Sequence, residues 1–312
     1  MVALYVVSVE EAVGKTTICA GLGRSLQSDG KKVGYLKPSS SEKSGTDSDI
    51  TFMKQILGIS DVVNAPDVIH GRDVVLVEGM LGPSGSDAVS QNTYGTVKEM
   101  KAKAIAVEAY SGQASKYIDA YKGFGENLLG VVLNKVPQSK LKRVQDDVRA
   151  QFGAAGINVL GVLPEDRVLF TITVGELADS LHGKILNNAE KSAELVENFM
   201  LGAMVVDSGL DYFGRKSNKA AVIRQDRPDM QLAALETSTR CLVLSGSNEP
   251  PIYSVLQKAE SRGIPIISTE NTTGDIVTSI EDALSRTRFN QEQKLTKLTE
   301  IMKQNLDLKA VL

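Results

Sequence analysis

The chain has 312 residues, room for about two domains of roughly 150 residues each, and its 42% hydrophobic and 23% charged content is that of an ordinary globular protein. A net charge of −3 gives no electrostatic basis for binding nucleic acid or an anionic membrane. No apolar run reaches the roughly 18 residues of a membrane span, and the N-terminus leads straight into a strand pattern without a signal-like region, so a cytoplasmic location is expected.

The opening apolar run Ala3 to Val7 reads as a strand, followed by Ser8-Val9-Glu10-Glu11-Ala12-Val13-Gly14-Lys15-Thr16-Thr17 and a helical pattern from Ile18 to about residue 29. Strand, turn and helix in that order make an anion cradle, because the first free N–H groups and the positive dipole end of the helix face the turn. In such a loop Val13, Gly14 and Thr17 lie along the phosphates, Lys15 reaches the β/γ-phosphates, and the Thr16 hydroxyl ligates Mg²⁺. The alternative is a plain helix start in which Thr16 or Thr17 acts as the N-terminal hydrogen-bonder. Gly30 stops the helix. Lys32 to Leu36 is a short strand ending at Lys37-Pro38, and a polar loop, Ser39 to Ser48, precedes Ile50, Met53, Ile56 and Leu57 at helical spacing.

Val74 to Val77 is a strand of the doubly buried kind, closed by Glu78-Gly79; Ala104 to Val107 and Leu128 to Leu133 repeat the pattern, the latter running into Asn134-Lys135, and Val159 to Leu163 precedes Pro164. Strands alternating with helical stretches predict βαβ units and a doubly wound parallel sheet, with ligands beyond the carboxyl ends of the strands. Lys15, Thr16, Lys37, Glu78 and Asn134 all fall at those ends.

From Val174 the pattern becomes helical, including Glu190 to Met200, which places a domain boundary near residue 190 and assigns 1–190 and 195–312 to separate domains. A second, smaller α/β unit follows. Ala220 to Ile223, Cys241 to Leu244 and Ile264 to Ile267 read as strands, with helices beginning near Asp226-Arg227-Pro228-Asp229, Pro250 and Thr272-Thr273. Gln291 to Gln304 carries Leu295, Leu298, Ile301 and Met302 on one stripe, so it either docks or pairs with a second copy, and a homodimer is expected. Cys19 and Cys241 read as buried thiols in a reducing compartment, and His70 and His182 lack the partners of a zinc site or a nucleophilic triad.

The run Ser8 to Thr17, then Gly34-Tyr35-Leu36-Lys37-Pro38, Asp49, Val77-Glu78-Gly79 and Leu133-Asn134-Lys135, resembles dethiobiotin synthetase over residues 1 to about 170. It is more similar still to the N-terminal region of long bacterial phosphotransacetylases. The resemblance implies a P-loop NTPase fold that binds ATP and Mg²⁺, with Lys15 and Thr16 on phosphate and metal, Asp49 and Glu78 as metal ligands, Lys37 on a substrate carboxylate or phosphate, and Asn134 on adenine. Ser8 replaces the first loop glycine and Met80-Leu81 interrupts the segment after Glu78. Asn218 to Asp229 with Leu232 to Glu236 resembles the DRTGG domain that follows in those proteins, without its glycine pair.

Three functions fit these residues. One is a nucleotide-binding regulatory module acting on a protein partner such as an acyltransferase; another is an ATP-dependent ligase or carboxylase in which Lys37 and Lys15 are catalytic; the third is an interaction module with a vestigial nucleotide site. Acetyl transfer by residues 1–312 alone is not expected.

Overall fold

The apolar runs form strands because both of their faces are covered. The computed structural model describes residues 2–37, 48–59, 71–113, 115–203, 209–285, 287 and 289–311. Pro38, His70 and most of the polar loop after Lys37 lie outside the described residues. Among the described residues, β1 (Val2–Ser8), β2 (Val33–Leu36), β3 (Val74–Met80), β4 (Lys103–Ala109), β5 (Leu128–Val136) and β6 (Val159–Pro164) make one sheet in the order β2-β3-β1-β4-β5-β6. Every pairing is parallel.

The order reverses around β1, and the helices divide accordingly. Helices α1 (Lys15–Ser28) and α2 (Ser48–Leu57) bury Ile18, Cys19, Leu22, Leu26, Phe52 and Met53 against one face. The helices that follow β3, β4 and β5 bury Val97, Tyr121, Val144, Val148 and Phe152 against the other. This winding leaves Val132, Leu160 and Leu163 on the first face beyond the reach of α1 and α2. The C-terminal helix Leu295–Asn305 covers them, burying Leu295, Leu298, Ile301 and Met302 in the same cluster. It also lies on α1 at Gly21, where a Cβ would stand 1.9 Å from Met302 Sδ.

The amphipathic stripe therefore docks within the chain, and the expectation of a homodimer through it is corrected: that face is already covered. The compact units correspondingly comprise Met1–Leu169 with Phe289–Leu312, and Phe170–Arg288, in place of an expected division near residue 190 that kept the tail with the second domain.

In the second unit β7 (Ile172–Thr173) pairs with β9 (Leu195–Val196) as an antiparallel ribbon. The main sheet runs β10-β11-β12-β13-β8, from β8 (Lys184–Ile185), β10 (Asn198–Leu201), β11 (Lys219–Arg224), β12 (Thr239–Ser245) and β13 (Ile266–Thr269). It is parallel except for β8 on β13. The helical reading of Glu190 to Met200 is thus corrected: its apolar residues pair across strands, with Met200 opposite Ala221. Thr173 and Glu176 form a reciprocal cap on the helix Val174–Ser180, and Pro228 occupies the first turn of Pro228–Leu235 as its fixed φ favours.

Candidate functional site

Strand β1 ends at Ser8 and α1 begins at Lys15, three residues before the expected start, so Lys15, Thr16 and Thr17 all lie in its first turn. The N-cap is Gly14 at φ 98°, ψ 30°, and Ala12 is also left-handed at φ 55°. Glycine has no side chain to occupy the first-turn N–H groups, which leaves those donors for an anion. The reading of Thr16 or Thr17 as the cap is therefore corrected. Val13 is buried under α1, and Val9 packs against the opposite face of the sheet.

The end of β5 braces this loop from beneath. Asn134 is buried and donates from Nδ2 to the Val13 carbonyl at 2.9 Å, and Lys135 Nζ donates to the Ala12 carbonyl at 2.7 Å. Gly14 is held close to this brace, since a Cβ there would lie 2.4 Å from Asn134 Nδ2. Ser8 Oγ donates to the Glu10 carbonyl at 2.6 Å, and Tyr117 OH donates to Glu10 Oε1 at 2.6 Å. One of the two loop carboxylates is thereby engaged by the segment after β4, while Glu11 is exposed.

Lys15 turns back along the loop, its Nζ 2.7 Å from Ser8 Oγ and 3.0 Å from Met80 Sδ. Burial pushes its ammonium below the usual lysine range, and the nearby Glu78 carboxylate opposes that shift. A partly desolvated lysine beside main-chain donors gains strongly from a polyphosphate. At the ends of β2 and β3, Lys37 Nζ contacts Asp49 Oδ2 at 2.5 Å, Thr16 Oγ1 donates to the same oxygen at 3.4 Å, and Tyr35 OH donates to Glu78 Oε1 at 2.7 Å. Glu78 is buried, which raises its carboxyl above the normal range, while hydrogen bonds from Tyr35 and Thr16 and the charges of Lys37 and Lys15 pull it back.

The chain thus brings Lys15, Thr16, Lys37, Asp49 and Glu78 to one rim, with Val13, Gly14, Thr17 and Asn134 around the loop itself. Hydroxyl and carboxylate oxygens are the hard donors that suit Mg²⁺. No group of three or more His, Cys, Asp or Glu residues is arranged to hold a metal among the described residues. Sequence reasoning missed Lys135 and Tyr117, whose bonds span more than a hundred residues, and the Tyr35 to Glu78 contact between neighbouring strands.

Residues 4–173 match the CobQ/CobB/MinD/ParA nucleotide binding domain family. The chain belongs to that family. Residues 176–283 match the DRTGG domain. Among curated proteins the chain is similar to the phosphate acetyltransferases of Pseudomonas aeruginosa, at 23% identity over 95% of this chain and 49% of the relative, and of Nitrosomonas europaea, at 20% over 96% and 49%. The chain spans about half the length of these relatives. Among solved structures it is similar to the MinD cell division protein of Aquifex aeolicus, with 17% identity, a TM-score of 0.38, and coverage of 54% of this chain and 84% of that one. It is also similar to the CBS and DRTGG domains of the regulatory region of a Clostridium perfringens pyrophosphatase, with 14% identity, a TM-score of 0.32, and coverage of 49% and 74%. The expected P-loop α/β fold with a DRTGG domain is met, and the similarity found is to the CobQ/CobB/MinD/ParA family and to phosphate acetyltransferases, not to dethiobiotin synthetase in particular. No helix among the described residues is long and apolar enough to cross a membrane.

Proposed function

We propose that residues 1–170 bind ATP with Mg²⁺ and that this state is passed through the DRTGG domain to a phosphotransacetylase-type catalytic partner, making the chain a nucleotide-responsive regulatory module. The observation that carries this reading is the loop itself: left-handed Ala12 and Gly14, braced by Asn134 and Lys135, hold the first turn of α1 open, with Lys15 beside it. Lys15 would contact the β- and γ-phosphates. Thr16, Asp49 and Glu78 would hold the metal, directly or through water, and the ion would neutralise phosphate charge when bound. Asn134, expected at the adenine, shapes the loop in this reading.

A second reading, an ATP-dependent ligase, is favoured by the position of Lys37 on the same rim, 2.5 Å from Asp49, where its ammonium could pass to a substrate carboxylate. Calorimetric titration of ATP and MgCl₂ against wild type and Lys15→Ala tests nucleotide binding. A charge-assisted contact worth about 2 kcal/mol predicts roughly 30-fold weaker binding in the variant, and equal affinities would remove the reading. Phosphate release with added carboxylates separates the two functions, since a sensor keeps turnover at background whichever acid is supplied.

A further inference from the structure

A cavity of about 520 Å³ opens on the far side of the loop from α1, between the segment after β4 and the helix Leu141–Ala154. That volume falls in the range that encloses small organic ligands. Its floor is apolar, from Leu133, Val144, Val148 and Phe152, and its charged lining runs from the buried Glu108 to the exposed Lys140, Arg143 and Asp147. At the inner end lies Glu108, the buried carboxylate of β4. Its Oε2 takes both protein donors, Ser115 Oγ at 2.6 Å and Tyr121 OH at 3.1 Å. Oε1 is thus left without a protein donor among the described residues, in a side chain that lines the cavity. At the mouth stand Lys140, whose Nζ lies 5.8 Å from the centre of the Tyr110 ring, and Arg143, which pairs only at 3.5 Å with Asp147 and is largely exposed.

We propose that this cavity is a binding site for a small anionic molecule carrying a hydroxyl or ammonium group, its donor on Glu108 Oε1 and its anionic end between Lys140 and Arg143. One carboxylate acceptor and two cationic side chains lining the same cavity supply the selectivity. An anion without the donor leaves the cavity-facing Oε1 without a partner from the ligand, and a neutral molecule gains nothing at the mouth. Burial raises the Glu108 carboxyl above its ordinary range, so a donor placed there meets a poorly solvated acceptor. The cavity does not depend on the nucleotide reading. It borders the phosphate loop through Tyr117, which follows Ser115 on the cavity wall and bonds Glu10.

The test is calorimetric titration of the full chain, without nucleotide, using malate and glutamate as probes and succinate and glutarate as their counterparts lacking the donor. Malate or glutamate should bind saturably, at least tenfold tighter than its counterpart. Arg143→Ala, a surface change that leaves the core intact, should weaken that binding at least tenfold, and Glu108→Gln should narrow the preference for the donor-bearing acid. Absence of saturable binding by either probe, or affinities unchanged in both variants, would overturn the proposal. Because no nucleotide is present, failure here is distinguishable from failure of ATP binding.

Discussion

Replacing Gly14 by alanine probes the loop most directly. The native φ of 98° is outside the range that an L side chain adopts readily, and forcing it costs about 1–2 kcal/mol. The added Cβ would also stand 2.4 Å from Asn134 Nδ2, so the amide must move. That forfeits its 2.9 Å bond to the Val13 carbonyl and leaves a buried acceptor without its donor, about 1–2 kcal/mol more. Gly14→Ala should therefore destabilise the first unit by about 2–4 kcal/mol in reversible urea unfolding and abolish measurable ATP binding. Asn134→Ala removes the same bond without touching φ. The double variant should cost less than the sum of the two by about 1 kcal/mol, because the lost bond is counted twice in the sum and the clash disappears once the Asn134 amide is gone. A Gly14→Ala protein within about 0.5 kcal/mol of wild type, or strictly additive costs, would refute the braced loop.

Leu298→Ala should lower the stability of the first unit by about 2–4 kcal/mol, as for a fully buried leucine, while the sedimentation coefficient of the folded protein stays the same; a change in association without a change in stability would contradict the docked helix. Because burial raises the Glu108 carboxyl, the folded chain holds its proton to higher pH than the unfolded chain, and the associated stability is full below the unfolded value and lost as pH rises. Glu108→Gln should gain on wild type in denaturant titrations as pH rises above the ordinary carboxylate value of 4.5, and a constant difference would count against it. Lys219 is fully buried on β11, where it donates to Thr237 and Ser238, and burial pushes it down to about 8 from 10.5. The unfolded chain binds the extra proton between these values, so wild-type stability should rise across that window and Lys219→Met should flatten the rise.

The loop and the strands of the first sheet were legible in the sequence because both are written locally. Val74 to Val77, Ala104 to Val107 and Leu128 to Leu133 are apolar at every position, which only a sheet covered on both faces satisfies, and Gly14-Lys15-Thr16 directly after such a run marks the rim to which Lys37, Glu78 and Asn134 also belong. Short elements were not legible: Ile172–Thr173, Lys184–Ile185 and Leu195–Val196 are two residues each, too short for any period to show. Only tertiary structure decided where the C-terminal stripe goes. The hydrophobic pattern of Leu295 to Met302 records that a face must be buried and not against what; the winding of the sheet leaves Val132, Leu160 and Leu163 open on one face, and that vacancy selects the partner. The same holds for Asn134 beneath Val13 and Tyr117 on Glu10, contacts between segments separated by 121 and 107 positions, whose distance in the chain carries no trace of their closeness in space.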